Sequence, residues 1–165
     1  MARIYDNIEL KFTKGLHDII TNHGVKRLDF CVGYFNLRGW NLVVDEVDKI
    51  EGDEIYEGDE KIHRVCRLLI GMHRPPEEIL RRLYSNIKND LTDSDDVKKC
   101  KRQIATEFRK QLTVGVPTKQ DEITLRKLST QLKEGKVVVK LYLKEPLHAK
   151  LYLAHRPADN FNGVS

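Results

Sequence analysis

The sequence predicts an α/β fold in which a helical stretch interrupts the strands. Three observations predict it. Two near-continuous apolar runs of strand length lie in the first half, at residues 27–35 and 64–72. Two more runs, 137–143 and 147–155, lie near the end, separated by Lys144, Glu145 and Pro146. Between these pairs, from 76 to 135, the apolar residues recur at helical spacing instead.

Taken in order, Leu16, Ile19 and Ile20 form a short apolar stripe that ends at Gly24, the pattern of a helix with a glycine C-cap. The run at 27–35 reads as a buried central strand, and Asn36, Leu37, Arg38 and Gly39 as the polar turn that ends it. Trp40, Val43, Val44, Val47 and Ile50 then follow at helical spacing. Strand, tight turn and helix together open an α/β unit. The acidic stretch 51–61, with Gly52 and Gly58, reads as an exposed loop. The second buried strand, 64–72, stops at His73, Arg74, Pro75 and Pro76, and Pro76 suits a first helical turn.

Three amphipathic helices are expected next. Ile79, Leu80, Leu83, Ile87 and Leu91 mark the first. Val97, Cys100, Ile104, Phe108 and Leu112 mark the second, behind a capping signal at Asp93, Ser94 and Asp95. Val114, Gly115, Val116 and Pro117 break the pattern, and Ile123, Leu125, Leu128 and Leu132 mark the third, ending at Gly135. Residues 76–135 thus read as a helical insertion within one domain spanning 1–165. The two terminal runs read as neighbouring strands.

Composition narrows the class. The chain has 165 residues, 40% apolar and 33% charged, which suits one globular domain with a wet surface. It holds no apolar run long enough to span a bilayer, and the N-terminus lacks a signal-peptide core, so a cytoplasmic protein with no membrane partner is expected. Three widely spaced cysteines argue against a disulfide framework, and Cys31 and Cys66 sit inside apolar runs as buried thiols. The six histidines show no metal-ligand spacing. The net charge of +4 is mild, but Lys and Arg concentrate at 98–110 and 119–140, where a phosphate backbone or plain solvent would each suit them.

The chemistry-bearing pair is His148 and Lys150. Side chains on a strand alternate between faces, so these two are expected to point the same way, with Leu151 and Leu153 anchoring the strand in the core. A neutral imidazole is a good nucleophile near neutral pH, and a fixed ammonium stabilises the charge that phosphoryl oxygens gain in a transition state. By spacing alone, so short a pair is more often a surface or structural feature.

The segment Leu147-His148-Ala149-Lys150-Leu151-Tyr152 resembles the first part of the signature of the phospholipase D superfamily, His-x-Lys followed by Asp and then Gly-Ser-x-Asn. The preceding run 137–143 and the strand-turn-helix from Val32 to Trp40 agree with it. Within that superfamily the chain is most similar to domains at the N-terminus of bacterial superfamily-two helicases of the DEAD/DEAH or Swi/Snf kind. The likeness spans the chain in element order, and its sharp part is confined to 137–153.

The resemblance implies a phospholipase D-like mixed sheet flanked by helices. It implies a metal-independent phosphodiesterase (nuclease) half-site acting on DNA, with His148 as nucleophile, Lys150 holding phosphate, and no cofactor. ATP and Mg would belong to a helicase motor elsewhere in the same parent chain. The family mechanism needs two histidines, so a homodimer, or a second motif in a further C-terminal part, would complete the site. A catalytically inactive DNA-binding or docking module is the alternative, and a lipid-cleaving enzyme is the least favoured.

Two departures matter. His155 stands where the family has its Asp, and no Gly-Ser-x-Asn follows, so a chain truncated at its C-terminus is expected, with the strand of His148 left unpaired on one edge. Loops at strand ends add Arg38, His73 and Arg74, for which phosphate contact and turn or cap roles fit equally. Asn36 fits a helix cap better, and Tyr152 and Trp40 fit packing.

Overall fold

A computed structural model of the chain describes residues 11–21, 24–72, 75–89, 91–92, 94–112 and 118–157, and the backbone of 161–164. The elements run α1 (Phe12–Thr21), β1 (Arg27–Val32), α2 (Leu37–Asn41), α3 (Val44–Lys49), β2 (Asp53–Glu57), β3 (Glu60–Arg64) and β4 (Cys66–Gly71). They continue α4 (Glu77–Lys88), α5 (Asp95–Leu112), α6 (Lys119–Lys133), β5 (Val137–Tyr142), β6 (Lys150–His155) and β7 (Phe161–Val164).

Five strands form a mixed sheet in the order β5-β4-β1-β6-β7. β1, β4 and β5 are parallel, and β6 and β7 are antiparallel to their neighbours. The chain is therefore an α/β protein with a mixed sheet and packed helices. The sequence patterns explain the helix ends. Asn36 accepts a 2.7 Å bond from the Gly39 amide and caps α2. Thr118 and Asp121 form a reciprocal capping box at the start of α6. Ser94 accepts from the Val97 amide at the start of α5.

The fully or nearly buried apolar side chains of the sheet lie on one face. They are Leu28, Phe30 and Val32 of β1, Cys66, Leu68 and Ile70 of β4, Val137 of β5 and Ala154 of β6. The register aligns them in rows across the strands, and the core beneath them is closed by Leu16 and Ile20 of α1, Leu37 and Trp40 of α2, Val44 and Val47 of α3 and Leu128 of α6. α4 and α5 close a second cluster of their own around Leu80, Leu83, Val97 and Cys100, which reaches the sheet through Leu141.

Gln131 and Thr124 of α6 are both buried, and each is satisfied. Gln131 accepts from the Trp40 indole and donates to the Val44 carbonyl and Asp48. Thr124 donates to Asn41. Such paired polar groups lock α6 against α2 and α3, because leaving any one of them alone in the core would be costly.

Several expectations are corrected. The runs at 137–143 and 147–155 are not neighbours: β4 and β1 lie between β5 and β6. The connection through Pro146 must cross the ends of both intervening strands. β6 is also not an edge, since β7 pairs with it, which removes the unpaired edge as a reason for dimerisation. The acidic stretch 51–61 is mostly the β2–β3 hairpin, turning at Gly58 with φ +68°, where an alternating Asp53–Glu57 faces Glu60–Arg64. Residues 40–50 bend at 42–43 into two short helices. The break at 114–117 lies outside the described residues.

The crossing is accommodated by two glycines. A Cβ on Gly33, just past β1, would collide with the Leu147 carbonyl oxygen. A Cβ on Gly71, the last residue of β4, would sit 2.8 Å from the Gly33 carbonyl and 2.9 Å from the Leu147 Cβ. These obstacles are mainly backbone and cannot swing aside. Gly33→Ala and Gly71→Ala are each expected to destabilise the fold by about 1–3 kcal/mol, the usual cost of overpacking. Urea denaturation measures this. Unchanged midpoints for both variants would contradict the close approach.

Candidate functional site

Residues 147–149 lie across the carboxyl ends of β1 and β4. The Gly33 amide donates a 2.8 Å hydrogen bond to the Ala149 carbonyl. From there Lys150 enters β6 opposite Val32. That register places Lys150 on the helix-covered face, with Tyr152 and Ala154 following at alternate positions. His148 and Lys150 are both exposed, and neither side chain bonds to another described residue. The carboxyl ends of parallel strands are where α/β sheets collect ligands, because the loops there converge and the backbone is rigid.

The anchoring of this strand differs from expectation. Leu151 and Leu153 do not enter the core. Leu151 is 39% exposed and both lie on the face opposite the helices, beside Asp29, Cys31 and Leu69. Tyr152 and Ala154 anchor β6 instead. The Tyr152 ring packs edge-on to Phe30 with centroids 5.0 Å apart and tilted to Phe12 at 5.3 Å. Burial pushes its hydroxyl pKa up. The packing role expected for Tyr152 is thus what it performs, and Trp40, 2% exposed, is core as expected.

The other candidates are not brought to the pair. Arg38, in α2, is exposed and faces Asp121 at 3.9 Å. His73 and Arg74 lie outside the described residues. Among the basic residues of α6, Lys127 pairs with Asp45 and Arg126 with Glu122 at 2.7 Å. Gly33 and Gly71, which sequence reasoning passed over, shape the site most directly. Their signal was present: each is a glycine near the carboxyl end of a buried apolar run, where chemistry on such sheets is found.

His155, five residues after Lys150, meets a carboxylate of β1. His155 Nε2 lies 2.7 Å from Asp29 Oδ2, a close polar contact without the angles of a hydrogen bond. Arg67 grips Asp29 with two bonds of 2.7 Å, and Arg27 approaches at 3.4 Å. Burial alone would raise the Asp29 pKa and is the largest single influence. The Arg67 hydrogen bonds and the charges of Arg27, Arg67 and His155 together outweigh it and hold the carboxyl below its usual range.

This cluster occupies the sheet face away from the helices. The β2–β3 hairpin adds acids to it: Asp53 lies 3.9 Å from Arg27, and Glu57 lies 3.4 Å from Arg64 and 3.5 Å from Lys140. The basic side chains of this face are therefore internally neutralised, in contrast to Lys150. The cysteines are free thiols, and burial pushes the Cys66 thiol pKa far up, so it is inert. Among the described residues no group of His, Cys, Asp and Glu is arranged to hold a metal, and no helix is long and apolar enough to cross a membrane.

The cluster fixes an acid dependence. The folded Asp29 stays charged to lower pH than the unfolded one, so its contribution is complete above the unfolded value and is lost as pH falls through the folded value. Asp29→Asn is expected to cost about 3 kcal/mol near neutral pH, because two arginines lose their counter-charge. It is also expected to flatten the acid limb of stability relative to the wild type. Parallel acid limbs in urea melts across pH would contradict the assignment.

No protein-family model matches the chain, and no match is found among curated proteins or solved structures.

Proposed function

We propose that the chain is a phospholipase D-like, metal-independent phosphodiesterase half-site acting on DNA. The observation that supports this most directly is the His148–Lys150 segment: two exposed groups, unpartnered among the described residues, held by backbone over the carboxyl ends of parallel strands. A side chain kept there by structure alone would gain from a partner, as the other basic residues of the sheet do.

In this reading an imidazole nitrogen of His148 attacks phosphorus and the P–O bond to the leaving nucleoside breaks. A second histidine, from a two-fold partner or a further motif, gives a proton to the leaving oxygen. Water activated by that same group then cleaves the phosphohistidine and restores His148. Lys150 holds the phosphoryl oxygens throughout. Delivery to DNA by an ATP-dependent helicase motor in the same parent chain follows from the resemblance and belongs to the proposal.

One observation favours a second reading, a non-catalytic DNA-binding or docking module. His155 replaces the signature's acid and is engaged with Asp29.

Incubation of the protein with labelled single-stranded and duplex DNA in EDTA tests the proposal. Cleavage is expected to persist in EDTA and to fall at least about a thousandfold in His148→Ala, as for loss of a nucleophile. Lys150→Ala is expected to lower it about 100-fold. DNA binding without cleavage, unaltered by His148→Ala, would sink the catalytic reading in favour of the second.

A further inference from the structure

A cavity of about 250 Å³ opens between α1, α2 and the sheet, lined by aromatic and aliphatic side chains. Phe12 and Phe30 each contact the ring of Tyr152 in its lining. Phe35 and Trp40, with centroids 5.7 Å apart, line it as well. Tyr34, 46% exposed, stands on the rim.

The cavity adjoins the candidate phosphodiesterase site by register. Val32 lines it and is the ladder partner of Lys150, so both side chains leave the sheet on the same face. Tyr152, also in the lining, lies two residues along that face from Lys150. Tyr34 adjoins Gly33, whose amide holds Ala149. The register thus places Lys150 beside residues that line the cavity.

We propose that this cavity takes one unstacked base of a single-stranded nucleic acid whose neighbouring phosphate lies at His148 and Lys150. The assignment rests on the phosphodiesterase reading of that pair and names its substrate class. Three features argue for a base. Aromatic walls stack on the face of any base, which gives affinity without sequence preference. The volume lies below the ~300–1,000 Å³ of sites for drug-sized ligands, so it suits one ring system and not a large molecule. Asn36 also lines the cavity; its Oδ1 is committed to the Gly39 amide, which leaves its N–H donors for a polar base edge. A paired, stacked base cannot reach between α1 and α2 without leaving the duplex, so single strands are favoured.

Binding of labelled oligonucleotides to the protein in EDTA tests this, read by anisotropy and by the fluorescence of Trp40, the single tryptophan. A short single strand is expected to bind at least about tenfold tighter than the duplex of its sequence, and tighter by a similar factor than an all-abasic strand of equal length. Tyr34→Ala, an exposed position, is expected to weaken the intact strand about tenfold and the abasic strand little. Equal affinity for intact and abasic strands would overturn the assignment. So would displacement of the strand by phosphatidylglycerol vesicles with matching Trp40 quenching, which would mark an acyl chain as occupant. The two readings fail separately. Base-dependent binding without cleavage supports the cavity and defeats the catalytic reading. His148-dependent cleavage without base-dependent binding defeats the cavity alone.

Discussion

The arrangement depends on a close approach of backbone to backbone. The chain leaves β5 at one edge of the sheet and must reach β6 beyond β4 and β1. It does so over Gly33 and Gly71, where no side chain stands in the way. That approach does two things at once. It lets the Ala149 carbonyl take the Gly33 amide, which sets the β1–β6 register. It also delivers His148 and Lys150 to the carboxyl ends of the parallel strands, where a larger residue beneath would hold them off the sheet.

The two faces of the sheet divide the work. The helix-covered face carries the core, and its row nearest the crossing chain ends in Lys150 and borders the aromatic cavity. The other face carries a charged cluster built on Asp29, closed by Arg67, Arg27 and His155 and edged by hairpin acids. Several of the basic residues in the stretches 98–110 and 119–140 are engaged in internal ion pairs, as Lys127 and Arg126 show on α6. Net charge is therefore a poor guide to where a polyanion would bind this chain, and location of the unpaired cations is a better one.

His155 shows how a sequence departure acquires meaning in three dimensions. As a substitution for an acid in a signature, it reads as loss. In the fold its Nε2 lies 2.7 Å from a carboxylate oxygen of β1, so the position ties two neighbouring strands together through a polar contact. Its register partner is Arg27, and Asp29 sits diagonally across. No linear pattern links positions 29 and 155, because their proximity comes only from β1 and β6 pairing.

The residues by themselves determined the α/β class, the buried strands within 27–35 and 64–72, the three long helices, the capping signal before α5, and the short pair His148 and Lys150. Each of these is local: periodicity, capping chemistry and apolar runs act over a few residues. What only the tertiary structure decided is non-local. Strand order separated β5 from β6, which looked adjacent because only a short connection parts them. One-sided helix packing turned Leu151 and Leu153 outward and gave the anchoring to Tyr152 and Ala154. The hairpin at 53–64 was masked by its acidic composition, since its cross-strand pairs and its ties to Arg27 and Lys140 offset a weak strand propensity. The physical reason is the same throughout. A sequence pattern shows which side chains seek burial, but only the packed sheet shows which of its faces the helices cover.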